Sequence, residues 1–577
     1  MLFNPLSAVL NTIFNLIINQ KRYSNSLRNL NRSDAHGGAK FMEPGEIVDR
    51  GLTVCDSGDV NGILIGGVET ARGGEVVVCY PGDRHLITFA PTRSGKGTCH
   101  VIPNLLLHRG ATFVIDVKGE NFLASQRQRC GYGPVMAFAP YDPRIPSVRV
   151  NPLDFVRIGT INEADDARAL ANLLIEASGS DKDKFWEEYA RTLLTGFILY
   201  MLHDAPESQR NLTSVVGLLS LPRDKLNIHL QSMSRHRNGT VAAAGANFSG
   251  MAEEMFQNVL ASVYPQIACW AAGGPLEALT STSDFTFDQL RIQPASFFLI
   301  IPLDRIRENR SALRVLTGMA IRSLARTIPK SNDRRILFIL DEFANLGRME
   351  DVEDGVTYLA STGVQLWMIV QDFSQLKNVY HEKADTIFAN CGARIVFNVQ
   401  DVETAKKISE MIGNTTVIVE TPTRSSGGLF TASTVGMNHS VAARPLMTPD
   451  EVMRLDRSEQ IAFLDENRPV RCRKWYYFDR PEFRSLYDDP RPLLGASSLP
   501  QLATTSRPAG GTTTPSRTAQ ATPSRGANPT PAVPLMAGRP PRKAASASSR
   551  VQPAAPASRP ANAPPKGRPP RQPTGRH

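Results

Sequence analysis

Short apolar runs alternate with helical stretches from about residue 80 onwards, and this alternation restricts the fold more than any other feature of the chain. The runs are rich in Val, Ile, Leu and Phe, as buried strands are, whereas the stretches between them repeat apolar residues at helical spacing. Strands that alternate with helices form parallel sheets covered by helices. We therefore predict an α/β fold with a mainly parallel sheet. The candidate strands are HLITFA (85–90), TFVID (112–116), VMAFAP (135–140), SFFLIIP (296–302), ILFIL (336–340), VQLWMIV (364–370) and RIVFNV (394–399).

A helical region of about 120 residues separates these strands into two groups. Within 165–285, the segments FWEEYARTLLTGFILYML (185–202) and NLTSVVGLLSLP (211–222) have helical periodicity. A helical insertion of this size predicts an inserted all-α domain. Residues 36–164 and 286–485 are then the first and second halves of one sheet domain.

The N-terminal segment 1–35 has a different character. Residues 1–20 carry no charged side chain, and their apolar residues recur at helical spacing beside a stripe of Asn and Ser. This pattern predicts a membrane-associated helix that lies in the interface, packs on a partner or spans once; a plain core helix is the alternative. If it spans, the basic residues Lys21 and Arg22 keep the following chain on the cytoplasmic side.

The C-terminal segment 486–577 is predicted to be a disordered basic tail. Residues 501–577 hold ten Arg, two Lys, no Asp or Glu, and 16 of the 41 prolines. Such a composition buries too little apolar surface to fold. Because the whole chain has a net charge of +10, the remaining 500 residues sum to about −2, and the excess positive charge lies in the tail.

The seven cysteines are scattered, without a C-x-x-C pair. We therefore expect neither a disulfide framework nor a zinc ribbon, and we expect the bulk of the chain to fold in the reducing cytosol. Three histidines near residue 100, His85, His100 and His108, are interpreted as core or surface residues rather than as metal ligands.

The segment APTRSGKGT (90–98) follows a candidate strand and precedes a helical stretch, which is the context of a phosphate-binding P-loop. Backbone N–H groups of such a loop bind phosphate oxygens, and Lys96 adds a positive charge. Two positions depart from the usual pattern: Ala90 replaces the first Gly, and Gly97 stands where a hydroxyl residue is usual. The candidate nucleotide-binding residues are Pro91, Thr92, Arg93, Ser94, Gly95, Lys96, Gly97 and Thr98.

A pair of carboxylates supplies the second half of a nucleotide site. The run ILFIL ends in Asp341 and Glu342. Asp341 is the candidate ligand of Mg²⁺, and Glu342 is the candidate base that polarises the attacking water. Thr98 is a further candidate on the metal side, since Gly97 has no hydroxyl. Asp116 also ends a candidate strand but lacks a following Glu, and it ranks second as a metal ligand.

Eight motifs follow one another along the chain: AHGGAKF (35–41), APTRSGKGT (90–98), VIPNLL (101–106), DVKGEN (116–121), NPLDF (151–155), KFW (184–186), LDEFANLG (340–347) and VQLWMIVQDFSQL (364–376). In their order and spacing, about residues 36–480 resemble the TraG-like coupling ATPases of type IV secretion and conjugation, within the HerA/FtsK group of ring-shaped motors. The resemblance implies a RecA-like P-loop ATPase that uses ATP and Mg²⁺ and assembles as a hexamer at the cytoplasmic face of the bacterial inner membrane. It also implies partners: a relaxase with single-stranded DNA or effector proteins as cargo, and the components of the secretion channel.

The resemblance also assigns a role to Gln371, which ends the strand VQLWMIV and corresponds to the family's sensor of the outer phosphate. One feature of the family is missing. The slot for an Arg that reaches the neighbouring subunit's ATP holds Ala360, and Arg348 and Arg394 are possible substitutes. The family's usual pair of N-terminal spanning helices is also not visible, since at most one helix could span.

Two other functions remain open from the sequence. One is a double-stranded DNA pump of the chromosome-segregation type, which shares the motor core but not the coupling-family motifs. The other is a receptor scaffold that binds nucleotide and cargo with little turnover. Gly97 and Ala360 are the residues that support the scaffold.

Overall fold

The computed structural model describes residues 36–55, 62–178, 183–327, 329, 334–425 and 434–490, with the backbone alone at 422–425 and 434–439. The predicted N-terminal helix 1–20 and residues 491–577 of the predicted tail lie outside the described residues. All described residues belong to one unit, Met1–Ser498.

Eleven strands form one sheet in the order β2-β1-β13-β12-β9-β3-β8-β7-β4-β6-β5. Two further strands, β10 and β11, form a separate two-stranded sheet. The strands are β1 Ile63–Glu69, β2 Glu75–Tyr80, β3 His85–Phe89, β4 Thr112–Ile115, β5 Val135–Phe138, β6 Ser296–Leu299, β7 Ile336–Leu340, β8 Val364–Val370, β9 Cys391–Val396, β10 Asn414–Ser425, β11 Thr434–Pro445, β12 Glu459–Leu464 and β13 Val470–Arg473.

The seven strands from β9 to β5 in this order are parallel, and they correspond to the seven apolar runs of the sequence. The α/β class and the parallel sheet are thus confirmed. The strand predicted at 394–399 is displaced, since β9 covers 391–396. It begins earlier because Cys391 and Ala393 already pair with β3, and it ends before Asn398, whose φ of +53° is incompatible with a strand.

Four antiparallel strands, β1, β2, β12 and β13, extend the sheet beyond β9, and sequence periodicity did not identify them. Gly66 in β1 shows why the first of these was difficult to predict. A side chain at this position would collide with the carbonyl oxygen of Arg473 on β13, so the close approach of the two strands requires a glycine there.

Helices cover the parallel sheet and fill the region between β5 and β6. They are α1 Pro44–Asp49, α2 Ile102–Leu107, α3 Glu120–Cys130, α4 Glu163–Leu174, α5 Lys184–Asp204, α6 Leu212–Leu219, α7 Arg223–Ser234, α8 Gly239–Ser249, α9 Glu253–Ile267, α10 Glu277–Thr280, α11 Gln289–Ile292, α12 Arg310–Ala325, α13 Glu350–Gly355, α14 Phe373–Tyr380, α15 Lys383–Asn390, α16 Val402–Ile412 and α17 Pro449–Met453.

The helical region from α4 to α9 shares its core with the sheet. One continuous hydrophobic cluster includes Phe197 of α5, Leu173 of α4, Leu316 of α12 and Phe338 of β7. Gly318 of α12 allows this contact, because a side chain there would collide with Leu173. The region is helical where the sequence predicts helices, whereas its status as a separate domain stays a prediction.

Two details correct the expectations from sequence. Cys55 and Cys79 are bonded as a disulfide, with Cα atoms 5.3 Å apart, although scattered cysteines predicted none. The pairing could not be read from the sequence because β2 brings Cys79 beside a residue 24 positions earlier. The start of the predicted tail is also folded, since Leu486 and Tyr487 pack on a hydrophobic cluster and the N–H of Asp488 donates to the carbonyl of Ala124 in α3 over 3.1 Å.

Within the described part of the chain, no helix is both long enough and apolar enough to cross a membrane.

Candidate nucleotide-binding site

The loop 90–96 joins β3 to a helical segment that starts at Gly97, as the P-loop interpretation requires. Gly95 has a φ of +92°, and Arg93 has a φ of +62° in the left-handed region. These two positions turn the chain so that the first turn of the helix faces the end of β3. Because the first N–H groups of a helix have no intrahelical acceptors, this turn presents donors to an anion.

The helix after the loop begins with π-helical residues, Gly97–Val101, before it continues as α2. Thr98 lies in this segment, and its hydroxyl donates to the carbonyl of Gly95 over 2.9 Å. In this structure the Thr98 hydroxyl therefore closes the loop on itself, and its role toward a metal stays a prediction.

The acidic and amide candidates come from strands beside β3. The order β3-β8-β7-β4 is parallel, so the carboxyl ends of all four strands lie at one edge. Gln371 follows β8, Asp341 follows β7 and Asp116 follows β4. Ligands of open α/β sheets bind at this edge.

Lys96 of the loop bridges the acidic pair. Its Nζ lies 3.2 Å from Oδ1 of Asp341, and it also donates to the carboxylate of Glu342. Burial lowers the pKa of Lys96, but the attraction of Asp341 and Glu342 outweighs this effect and raises the pKa above its ordinary value. Nε2 of Gln371 donates to the other oxygen of Glu342 over 3.5 Å. The four residues that the sequence selected from three distant segments thus meet in one cluster.

Asp116 is a buried carboxyl on the next strand. Burial raises its pKa to about 7, and the charge of Asp341 adds to the shift although the N–H of Phe122 opposes it. Its oxygens accept hydrogen bonds from the N–H groups of Lys118 and Phe122. Both oxygens of Asp116 are thus bound by N–H groups of its own loop, whereas Oδ1 of Asp341 accepts from the N–H of Glu342 over 3.1 Å and also contacts Lys96.

The residues present fit a nucleoside triphosphate and a divalent cation. The buried hydroxyl of Ser94 in the loop has no hydrogen-bond partner among the described residues, which is unusual for a buried polar atom. Carboxylates of the type of Asp341 are the ligands that Mg²⁺ prefers. Glu342 has a φ of +56°, a conformation that non-glycine residues rarely adopt and that is frequent at functional sites.

The two arginines considered as substitutes for the missing finger are engaged within the chain. Arg348 pairs with Glu353, its Nε lying 2.6 Å from Oε1. Arg394 donates to the carbonyls of Phe388 and Ala389 over 2.9 and 2.8 Å. Ala360 lies in the 3₁₀ turn Leu359–Thr362.

The histidines that the sequence assigned to core or surface roles are buried. His85, His100 and His108 each expose 1% or less of their surface. Burial lowers the pKa of His85 and of His100 to about 4 and that of His108 to about 3, so all three are neutral at pH 7.

The sequence did not predict that a segment 380 residues after the P-loop contacts it. Lys474, directly after β13, donates from Nζ to the carbonyl of Ser94 over 3.1 Å. Burial lowers its pKa. The aromatic run WYYF (475–478), which the interpretation of the sequence left unused, was the available signal.

Comparisons with known proteins show the family of the chain. Residues 35–498 match the model of the family described as type IV secretory system conjugative DNA transfer. The chain belongs to this family. This match over most of the chain confirms the TraG-like coupling-protein resemblance.

Two named proteins, TraG and VirD4, are similar to this chain. The conjugal transfer protein TraG of Escherichia coli is 30% identical over 460 residues, which are 73% of this chain and 71% of TraG. Protein VirD4 of Agrobacterium fabrum is 28% identical over 410 residues, 70% of this chain and 60% of VirD4.

Solved structures of a conjugative coupling protein have the same fold. Unbound TrwB lacking 70 N-terminal residues superposes with a TM-score of 0.55 at 16% identity, covering 77% of this chain and 95% of TrwB. TrwB in complex with ADP and Mg²⁺ superposes with a TM-score of 0.54, also at 16% identity, covering 76% of this chain and 94% of TrwB. These likenesses confirm the RecA-like architecture of the family member described here.

Proposed function

We propose that this protein is an ATP-dependent coupling protein that delivers DNA with its relaxase, or effector proteins, to a type IV secretion channel. The observation that carries the proposal is the meeting of Lys96, Asp341, Glu342 and Gln371 at the end of the parallel sheet. The conjugal transfer relatives support the coupling role, and the complexes of TrwB with an ATP analogue and with ADP and Mg²⁺ support the cofactors.

Each residue has a distinct task in this proposal. The loop 91–98 binds the phosphates through its N–H groups, and Lys96 contributes a positive charge. Asp341, with Thr98 as a second candidate, would hold Mg²⁺, which would neutralise negative charge on the phosphates. Glu342 accepts a proton from the attacking water, and Gln371, hydrogen-bonded to Glu342, responds to the outer phosphate.

Lys96 changes partners in this mechanism. In the structure its ammonium satisfies Asp341 and Glu342. When a nucleotide binds, the ammonium moves to the phosphates. Asp341 would then be free to hold Mg²⁺, and Glu342 would be free to accept a proton from water. Before a nucleotide arrives, the acidic pair thus keeps the Lys96 ammonium charged and held at the carboxyl end of the sheet.

The location and assembly belong to the same proposal. We place the protein at the cytoplasmic face of the inner membrane as a homo-hexamer that contacts channel components, as expected of a coupling protein. The basic tail 501–577 supplies non-specific affinity for nucleic acid, since its twelve positive charges have no acidic counterpart.

Steady-state ATP hydrolysis with and without single-stranded DNA tests the proposal. The full chain should hydrolyse ATP, and Lys96→Ala should abolish turnover without changing thermal unfolding by more than a few degrees. Lys377→Ala is the matched control, because Lys377 forms an exposed pair with Glu403 far from the loop in sequence. Near-normal hydrolysis by Lys96→Ala would refute the assignment of the P-loop.

A receptor scaffold with low turnover is the second candidate. The observation that favours it is that Arg348 and Arg394, the possible replacements for an Arg at Ala360, are both held within the chain. A missing trans-acting Arg lowers turnover by on the order of 10³ or more. ATP binding with no hydrolysis above background, even with DNA present, would establish the scaffold and exclude the motor.

A further inference from the structure

The aromatic run after β13 lies against the phosphate-binding loop. A Cβ atom built on Gly95 would lie 3.0 Å from Cε1 of Tyr476 and 3.6 Å from its hydroxyl oxygen. Glycine at this position therefore serves two purposes, since it has a positive φ and also lets the Tyr476 ring approach the loop. The ring is a neighbour of the backbone that holds the phosphates.

Polar contacts fix this segment to the loop on both sides of Tyr476. Lys474 donates to the carbonyl of Ser94 over 3.1 Å and to Oδ1 of Asn398 over 2.9 Å. The N–H of Tyr477 donates to the carbonyl of Thr98 over 3.1 Å. The position of Tyr476 relative to the loop is thus determined by hydrogen bonds from the residue after it and from Lys474.

Alternate side chains of the segment face opposite ways. Trp475 and Tyr477 are buried in a cluster with Ile102 of α2. Tyr476 and Phe478 lie on the other side, with ring centroids 5.6 Å apart and planes at 28°. Tyr476 is half-buried against the cluster that includes Ala90 and Cys99, and its hydroxyl donates to the carbonyl of Arg457 over 3.5 Å, whereas Phe478 is 48% exposed. The stacked pair, with one ring half-buried and the other exposed, thus presents an apolar ring face next to the phosphate loop.

We propose that Tyr476 and Phe478 form the base-binding surface of the nucleotide site, and that the purine ring of the bound nucleotide stacks on them. This inference rests on the proposed function. When the phosphates of a nucleotide are bound by loop 91–98, its base lies beside the loop. Tyr476 is the aromatic side chain that lies next to Gly95 of this loop. An aromatic side chain stacks on the face of a base and does not contact the edge groups that distinguish adenine from guanine. The surface should therefore bind ATP and GTP with similar affinity.

Two probes separate base binding from phosphate binding in the full-length protein. The dissociation constants of ATP and of inorganic tripolyphosphate, which lacks a base, are measured for wild type, Tyr476→Leu and Phe478→Ala. Stacking on an aromatic side chain has an effect of about fivefold or more on affinity. We expect the ATP constant to rise by that factor in both variants, whereas the tripolyphosphate constant stays unchanged.

Two control variants accompany the measurement. Tyr476→Phe keeps the ring and should bind ATP as wild type does. Phe185→Ala removes a ring of matching exposure, 50%, from α5 and should leave both constants unchanged. Thermal unfolding of each variant shows that the chain is folded.

Other results would overturn the inference. Equal weakening of both probes would mean that Tyr476 only supports the loop. Unchanged ATP binding with weaker binding of a single-stranded oligonucleotide would assign the rings to DNA instead. If wild type binds tripolyphosphate and ATP equally well, the proposed base-binding surface is refuted, whereas the phosphate-binding site is retained. If wild type binds neither compound, the proposed nucleotide site itself is refuted.

Discussion

The ammonium of Lys96 lies 3.2 Å from the carboxylate of Asp341, a residue 245 positions later in the chain. The loop follows β3 and Asp341 follows β7, and one strand, β8, lies between these two in the sheet. The pair therefore spans the carboxyl end of β8. Asp341 and Glu342 are adjacent in sequence and both contact Lys96, yet the proposed mechanism gives them different tasks.

The two carboxylates should therefore respond differently to neutralisation. Glu342→Gln should bind Mg·ATP with nearly unchanged affinity and lose hydrolysis by about 10² or more, because an amide cannot accept the proton of water. Asp341→Asn should weaken the Mg²⁺-dependent part of ATP binding. Nucleotide binding at varied Mg²⁺ and single-turnover hydrolysis measure the two effects, and identical profiles for both variants would show that the roles are misassigned.

Thr98 stands one position after Gly97, which occupies the usual place of the hydroxyl residue in a P-loop. Substitution of Thr98 therefore tests whether its hydroxyl replaces the missing one. The Thr98 hydroxyl donates to Gly95 in the structure, so it would have to rotate to contact a cation. If it does, Thr98→Ala should raise the Mg²⁺ concentration at half-maximal hydrolysis several-fold, whereas Thr98→Ser should restore it. Unchanged Mg²⁺ dependence in Thr98→Ala would leave the residue with its loop-closing bond alone.

Glu176 connects the helical region to the turn that follows the acidic pair. Its carboxylate accepts from the N–H of Arg348 over 3.1 Å, pairs with the buried Arg314 at 3.0 Å, and lies where a side chain on Gly347 would begin. Glu176→Gln leaves the Arg314 cation without a counter-charge, and should lower the free energy of unfolding by about 3 kcal/mol.

An exposed ion pair serves as the control for this change. Glu253 pairs with Arg223 but is 57% exposed, so Glu253→Gln should change the free energy of unfolding by less than about 1 kcal/mol. Urea unfolding of the two variants makes the comparison. Equal losses would show that Glu176 does not stabilise the turn.

Buried His100 predicts a loss of stability in acid. Burial lowers its pKa to about 4 in the folded chain, so between pH 6.5 and 4 the unfolded chain binds a proton that the folded chain does not. The free energy of unfolding should therefore be highest above pH 6.5 and fall as pH decreases through this window.

In His100→Gln this contribution should disappear, so that the variant loses about 3 kcal/mol less than wild type between pH 6.5 and 4. The amide can still donate to Gln460, which His100 contacts over 2.6 Å. Urea unfolding at several pH values measures both slopes, and parallel curves would mean that His100 is not the group that titrates.

The sequence by itself determined the centre of this protein. Buried parallel strands are continuous apolar runs, so β7 and β8 were predicted at the residues where they occur, and the order of strand, glycine loop and lysine identified Lys96. Polar residues that end such strands must lie at one edge. For this reason Asp341 and Glu342 could be assigned to the edge that carries the loop before any distance was known, and the family resemblance added Gln371 at the end of β8.

Only the tertiary structure decided what surrounds that centre. β13 has only four residues, and Gly66 gives β1 no apolar signal at the point where β1 and β13 meet. The pairing of Cys55 with Cys79, the contact of Glu176 with the turn at Gly347 and the position of Tyr476 over Gly95 all join residues far apart in the chain. Local periodicity carries no information about such contacts, because they depend on how the strands are ordered in the sheet and on which surfaces the helices cover.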